Sequence, residues 1–375
     1  MAKLDYLFEE MLKNGGSDLH LSEGFRPKIR EHGAIRELAN EKILTLDQME
    51  EYMSEICPKD KWQKYKKTND IDFAYAKDKN SRFRANYFRQ IHGMGAVFRI
   101  IPNEILTIEQ LNVPKVITSF AELTSGLVLV TGPTGSGKST TLAAIINHIN
   151  ENSHRYILTI EEPIEFVHKN IKSIFCHREV GIHVKSFAEG LKVSTRQDLD
   201  VVLVGEMRDY ETISLALTAA SMGSLVFGTL HTNSAIKTIN RIIDVFPSEL
   251  QKQARGMLAN SLKGVCAQLL MKRIDKVGRV AVNEVLLDIQ GLATSIRENN
   301  LANIGNLMLS GKSMGMVTMD DSIKEKLDAG IVSAKEAYQK AENKEMFEAK
   351  LKQEESKHNA VQDEGIQFKS KGSTK

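Results

Sequence analysis

Gly132-Pro133-Thr134-Gly135-Ser136-Gly137-Lys138-Ser139 is the stretch on which the reading of this 375-residue chain turns. Leu127-Val128-Leu129-Val130-Thr131 precedes it and reads as a buried strand, while Thr140 to His148 reads as a helix. Strand, glycine-rich turn and helix together form the setting in which G-x-x-x-x-G-K-S cradles phosphate. The glycines let backbone N–H groups converge on phosphate oxygens, and the helix N-terminus favours negative charge. Gly132, Pro133, Thr134, Gly135, Ser136, Gly137, Lys138, Ser139 and Thr140 are therefore the expected nucleotide-binding residues. Lys138 is expected to reach the β- and γ-phosphates of ATP, and Ser139 to give its hydroxyl oxygen to Mg²⁺. The bland alternative is a glycine turn between two core elements. It is disfavoured because every fixed position is filled and both flanks fit.

Outward from that loop, short apolar runs recur at 127–131, 156–160, 201–204 and 225–230, separated by helical pattern. Short continuous apolar strands alternating with helices imply a parallel sheet buried on both faces. Ligands then bind at the carboxyl ends of the strands, so chemistry-bearing residues should follow each run. They do. The second run ends in Glu161-Glu162-Pro163-Ile164-Glu165, three carboxylates just past a strand expected to lie beside the phosphate-loop strand. A nucleotide hydrolase needs a carboxylate to orient or deprotonate water. Glu165 is the first candidate and Glu161 the second, a solvated acidic turn being the alternative. The third run gives Val201-Val202-Leu203-Val204-Gly205-Glu206-Met207-Arg208-Asp209. Glu206 is the expected metal-binding acid opposite Ser139. Arg208 and Asp209 are expected to be a local ion pair at a helix start. The fourth run ends in His231, which can sense a γ-phosphate by hydrogen bonding or simply pack.

Residues 1–103 mix helix and strand without a β-α-β rhythm and read as a small α+β domain. A helix covers 4–12, extended pieces cover 17–21, 71–76, 81–88 and 95–101, and a helix from Leu46 to Ile56 is ended by Pro58. Arg84 and Arg99 fall on successive predicted strands. They read either as a solvated basic face or as cations offered to transition-state charge. Residues 104–122 form a connector. Residues 123–341 make the sheet domain, helix-rich beyond Ser234 with one extended piece at Arg279 to Leu287. Residues 342–375 form a charged tail expected to bury little and be disordered after some helix.

Composition sets the outer limits. Apolar residues make up 42% of the chain, enough for a sizeable core and against global disorder. The net charge of +2 gives no general drive toward nucleic acid or an anionic membrane. Cys57, Cys176 and Cys266 form no CxxC pair and read as reduced thiols with no zinc site. No signal layout and no run long enough to span a bilayer is present, so the expectation is a soluble protein inside the cell.

With these motifs assembled, the chain resembles the secretion and type IV pilus ATPase superfamily, on its retraction-motor (twitching-motility) branch. Residues 17–21 (SDLHL), 161–166 (EEPIEF), 201–209 (VVLVGEMRD), 228–232 (GTLHT) and 241–247 (RIIDVFP), with the loop at 132–139, carry the resemblance across residues 1–340. It implies a PAS-like N-terminal domain, a RecA-like P-loop ATPase domain, and a homohexamer with ATP between the two domains. It assigns Glu165 as catalytic base, Glu206 as the Walker B acid, His231 to the histidine box, and Arg84 and Arg99 to the arginines that reach nucleotide. The implied setting is the cytoplasmic face of the inner membrane, against a pilus platform protein and alongside paralogous motor subunits. The lack of CxxC agrees with the retraction branch. Departures mark a divergent member: Glu162 stands for an aspartate, Ser224 for a histidine, Leu199 for a proline. A C-terminal Ala-Ile-Arg-Asn-Leu-Ile-Arg-Glu motif is reduced to Leu292-Ala293-Thr294-Ser295-Ile296-Arg297-Glu298. An assembly or secretion ATPase, a non-hydrolysing nucleotide-binding subunit and a DNA-translocating ring are the competing readings.

Overall fold

A computed structural model describes residues 2–31, 34–78, 81–101, 104–194 and 196–356. The chain divides into two compact units. The first comprises 1–105 together with 161–169 and 177–185, and the second 106–160, 170–176 and 186–375. This differs from the sequence reading, in which everything from 123 to 341 formed one domain. The acidic turn and the segment around His177 belong with the N-terminal unit.

In the first unit, β1 (Gly16–Ser22), β2 (Lys28–Glu31), β3 (Ala34–Glu37), β4 (Asp70–Ala76), β5 (Arg82–Gln90) and β6 (Gly93–Ile101) build a six-stranded sheet. Among the described residues its order is β3-β2-β1-β6-β5-β4, with every neighbouring pair antiparallel. Side chains alternate along β5, so Phe83, Ala85 and Tyr87 are buried. The helix Asp5–Lys13 supplies Leu7, Phe8 and Met11 to the same core. Phe8 stacks on Phe83 at 4.1 Å and meets Phe98 edge-on at 5.1 Å. Thr45 and Gln48 close a capping box at the head of the helix Leu46–Ile56.

Pro58 ends that helix as expected, yet it also heads a new one, Lys59–Thr68. A proline ring cannot continue a helix but is compatible with starting one. The new helix was hidden because it is lysine-rich and buries only Tyr65. β3 escaped notice because all four of its residues are exposed, so it carries no alternation.

The remaining strands are β7 (Gly126–Thr131), β8 (Tyr156–Glu161), β9 (Ile174–Glu179), β10 (Val201–Val204), β11 (Leu225–Leu230), β12 (Leu262–Lys272) and β13 (Arg279–Leu287), mostly within the second unit. They form a sheet ordered β13-β12-β7-β11-β10-β8-β9. From β12 to β8 the strands run parallel, and β13 is antiparallel to β12. The α/β class with a parallel P-loop sheet is thus as read from the apolar runs. The neighbour expected for β7 is not. β8 lies three strands away, with β11 and β10 between. The first crossover, through the helix Lys138–Asn152, carries the chain outward, and later crossovers fill the gap with strands buried on both faces.

β12 lies in a region read as helix-rich. It is an apolar run buried on both sides, which periodicity cannot separate from a buried helix. Past β13, residues 345–356 are helical, and Phe347 is buried against a cluster that includes Met319, Ile323 and Ala337. Packed chain therefore continues beyond 342, the predicted start of the tail. The tail from 357 onward lies outside the described residues.

Two consequences can be measured. Phe8→Ala removes the ring on which Phe83 and Phe98 converge, and should lower unfolding free energy by about 3–5 kcal/mol in urea denaturation. His168 and His177 in the first unit stack at 6.0 Å. Burial, with His177 adding to it, pushes His168 down from 6.5 to about 3. The unfolded chain therefore binds the proton first, so stability falls as pH drops from 6.5 toward 3. Replacing His168 with Gln should flatten that part of the pH–stability profile.

Candidate functional site

β7 is buried along its whole length, and the chain leaves it at Gly132 with φ +144°. A Cβ there would stand 2.2 Å from the Gln268 carbonyl oxygen and 2.6 Å from Ser136 Oγ, so only glycine fits. Gly135 and Gly137 also take left-handed φ values, +78° and +87°, and Gly137 is the N-cap of the helix Lys138–Asn152. The helix thus begins two residues earlier than its apolar pattern indicated. Pro133, Thr134 and Gly135 form the exposed crest of the loop, Ser139 and Thr140 are half-buried in the first helical turn, and Ser136 is buried beneath. Its Oγ has no hydrogen-bond partner among the described residues. Lys138 folds over the loop, its Nζ donating to the carbonyls of Gly132 at 2.9 Å and Pro133 at 3.2 Å.

Gln268, from β12, holds this loop from below. Its amide donates to the Ser136 carbonyl at 2.7 Å. Its oxygen accepts from Thr141 Oγ1 at 2.8 Å and from Asn283 Nδ2 at 2.9 Å. All of these partners are buried, so each bond replaces one that water cannot supply. Neither Gln268 nor Asn283 was singled out from sequence. The available signal was a polar residue in the middle of an apolar strand, at Gln268 in β12 and at Asn283 and Glu284 in β13.

The registers of β7, β11 and β10 align their carboxyl ends, with Thr131 opposite Leu230 and Gly228 opposite Val204. Gly132 N–H donates to the Leu230 carbonyl at 3.2 Å, tying the loop to the residue before His231. Glu206 follows β10, and His231 Nε2 lies 2.9 Å from Glu206 Oε1. Arg208 Nε also bonds that oxygen. The Arg208 side chain is 73% exposed while that of Glu206 is 18% exposed, so an exposed cation covers a sheltered acid. Burial pushes the Glu206 carboxyl up, but Arg208 and His231 outweigh it and hold it below the ordinary carboxylate range. Asp209 caps the helix Tyr210–Ser221, accepting from Thr212 N–H at 2.9 Å, a structural role at a helix start. His231 therefore bonds the acid from the neighbouring strand and is not a packing residue.

The remaining predicted residues lie in the first unit. Glu161 ends β8, and its buried carboxylate accepts Glu165 N–H at 3.2 Å. Glu179 similarly accepts Ile164 N–H at 3.3 Å. Two carboxylates thus build the acidic turn. Glu165 itself is half-buried, and its carboxylate has no partner among the described residues. Arg84 and Arg99 face each other across β5 and β6. Arg99 Nε donates to the buried Asp18 at 2.7 Å, and Arg84 Nε lies 3.6 Å from Asp72.

A cradle closed to a Cβ at Gly132, an orphaned hydroxyl beneath it and a lysine laid across it fit a polyphosphate. One hydroxyl (Ser139) and one ionised carboxylate (Glu206) at the same sheet edge are the donors Mg²⁺ uses when phosphate and water complete its shell.

Known proteins match this arrangement. The family model described as Type II/IV secretion system protein covers residues 2–374. The type IV pilus retraction ATPase PilT of Pseudomonas aeruginosa is 44% identical over 335 residues, 89% of this chain and 97% of that protein. A twitching motility protein of Neisseria gonorrhoeae is 44% identical over 319 residues, 85% of each. A crystal structure of the pilus retraction motor PilT with bound ADP superposes with TM-score 0.85 at 38% identity, covering 93% of this chain and 99% of that one.

Gln268→Leu keeps the volume but strands the Ser136 carbonyl and the Asn283 amide. Calorimetry should find ADP affinity reduced about tenfold, with a stability loss of about 1–3 kcal/mol.

Proposed function

The chain belongs to the Type II/IV secretion system protein family, and we propose that it serves there as an ATPase that retracts type IV pili. The observation that carries this reading is the shared carboxyl edge of β7, β11 and β10, with Lys138, Glu206 and His231 each following one of these neighbouring parallel strands. Lys138 exchanges the Gly132 and Pro133 carbonyls for β- and γ-phosphate oxygens of ATP. Ser139 and Glu206 would hold Mg²⁺, which would supply charge neutralisation for the phosphates. His231, hydrogen-bonded to Glu206, responds when the γ-phosphate leaves.

Glu165 takes the proton from the attacking water. Its uncommitted carboxylate supports it over Glu161, whose oxygen is already spent on the turn. It also speaks against a non-hydrolysing subunit. Arg84 and Arg99 offer cations to the transition state. Arg84, more loosely paired, is the freer of the two, because Arg99 is anchored on buried Asp18.

The working assembly is a homohexamer on the cytoplasmic side of the inner membrane, acting on a pilus platform protein and alongside paralogous motor subunits. Among the described residues no helix is long and apolar enough to cross a membrane. Contact with the membrane is therefore assigned to the pilus machine. Differential affinity for ATP and ADP between two arrangements of each subunit supplies the work.

Steady-state phosphate release tests the chemistry. Lys138→Ala should abolish turnover and weaken nucleotide binding. Glu165→Gln should keep binding and lose at least about 100-fold in turnover. Glu165→Gln turning over at the wild-type rate removes Glu165 as base. In cells lacking their own retraction motor, the wild-type gene should restore twitching, whereas restored pilus assembly alone would favour an assembly motor.

A further inference from the structure

Glu284 is a carboxylate buried in the middle of β13, 6% exposed, in a strand whose neighbours Val282, Val285 and Leu286 are apolar. Burying an acid is costly unless its oxygens are engaged. Here both are, and neither is engaged by a cation. Oε1 accepts Ala235 N–H at 2.7 Å and Oε2 accepts Met319 N–H at 3.3 Å. Ala235 opens the helix Ala235–Asp244, and Met319 opens the helix Met319–Asp328. One side chain therefore fixes the first turns of two helices that arrive from distant parts of the sequence. A carboxylate is suited to that task because each helix start presents unpaired N–H groups and positive partial charge.

The first of those helices is the continuation of the His231 loop, only three residues intervening between His231 and Ala235. Within the loop, Ser234 caps the helix by accepting Lys237 N–H. Thr238 Oγ1, fully buried, donates to the Ser234 carbonyl at 2.7 Å. The same hydroxyl lies 2.7 Å from Thr232 Oγ1 and 3.4 Å from Thr131 Oγ1, the last residue of β7 before Gly132. The chain of contacts runs from Glu284 through the helix start and Thr238 to Thr232, next to His231, and to the root of the phosphate loop.

We infer that Glu284 is a positioning residue for His231: it anchors the Ala235–Asp244 helix start so that His231 is held against Glu206 at the nucleotide edge of the sheet. It touches neither nucleotide nor water. This inference rests on the proposed ATPase activity. Loss of the anchor frees the His231 loop without removing any phosphate ligand. Turnover at saturating ATP should therefore fall while nucleotide affinity is kept.

The test compares wild type, Glu284→Gln, His231→Ala and the double variant as full-length proteins, at a temperature where circular dichroism finds all four folded. Gln retains an acceptor for one helix and offers a donor to the other, so one N–H is left unmatched with little change in volume. Phosphate release should fall about 10- to 100-fold in kcat for Glu284→Gln, with KM for ATP and Kd for a fluorescent ADP analogue within about twofold of wild type. The decisive reading is the double variant. If Glu284 acts through His231, adding Glu284→Gln to His231→Ala costs no more than His231→Ala alone. Glu284→Asp, which keeps the charge, should recover part of the kcat. An unchanged kcat in Glu284→Gln overturns the inference, as does a fully additive double variant or an equal loss in ADP affinity. A wild-type protein without phosphate release would instead sink the ATPase reading.

Discussion

At residue 132 the backbone passes so close to β12 that a methyl group would collide with the Gln268 carbonyl oxygen. That close approach is the constraint on which the site depends. It brings the loop within reach of the Gln268 side chain, which then binds the loop at Ser136 and the following helix at Thr141. Asn283 completes the amide's own requirements from β13. The loop's curvature is thus imposed by a buried polar network rather than by its glycines alone. In the interior such a network holds its shape because any broken member leaves an unpaired buried group. The glycines permit the curve, and β12 enforces it.

The order of strands does the rest of the assembly. With β11 and β10 beside β7, the residues that follow them, His231 and Glu206, come to the edge where the loop opens. The charges there are arranged asymmetrically. Glu206 is sheltered and held below the ordinary carboxylate range, whereas the side chain of the arginine that covers it is largely exposed. β13 then links this edge to the helices that follow, Asn283 serving the loop and Glu284 the helix after His231. Two adjacent residues on one strand support two halves of the same site because successive side chains point to opposite faces of the sheet.

The first unit is organised differently. Its sheet is antiparallel and its core aromatic, Phe8, Phe83, Phe98 and Tyr87 meeting within a single cluster. Its outward arginines are held by acids from adjacent strands of the same sheet, Asp18 and Asp72. Its acidic turn is shaped by Glu161 and Glu179, which accept backbone N–H groups. Three acids close in sequence thus differ: Glu161 builds the turn, Glu162 faces solvent, and the Glu165 carboxylate has no partner among the described residues.

The phosphate loop, Glu206 and His231 could be found from residue order, because each follows a short apolar run and a parallel sheet exposes just those positions. The α/β class and the extended stretches within 71–101 were legible for the same reason: local hydrophobic period reports local structure. What residue order left open was everything that depends on which strands become neighbours. β12 was invisible as a strand since burial on both faces erases alternation, and Gln268, Asn283 and Glu284 were invisible with it. The position of β8, separated from β7 by two strands, had no local signal either. Nor could spacing separate Glu161 from Glu165, two like carboxylates four residues apart. Their surroundings differ because the Glu161 carboxylate accepts the Glu165 N–H, a contact set by the course of the turn, which spacing does not report.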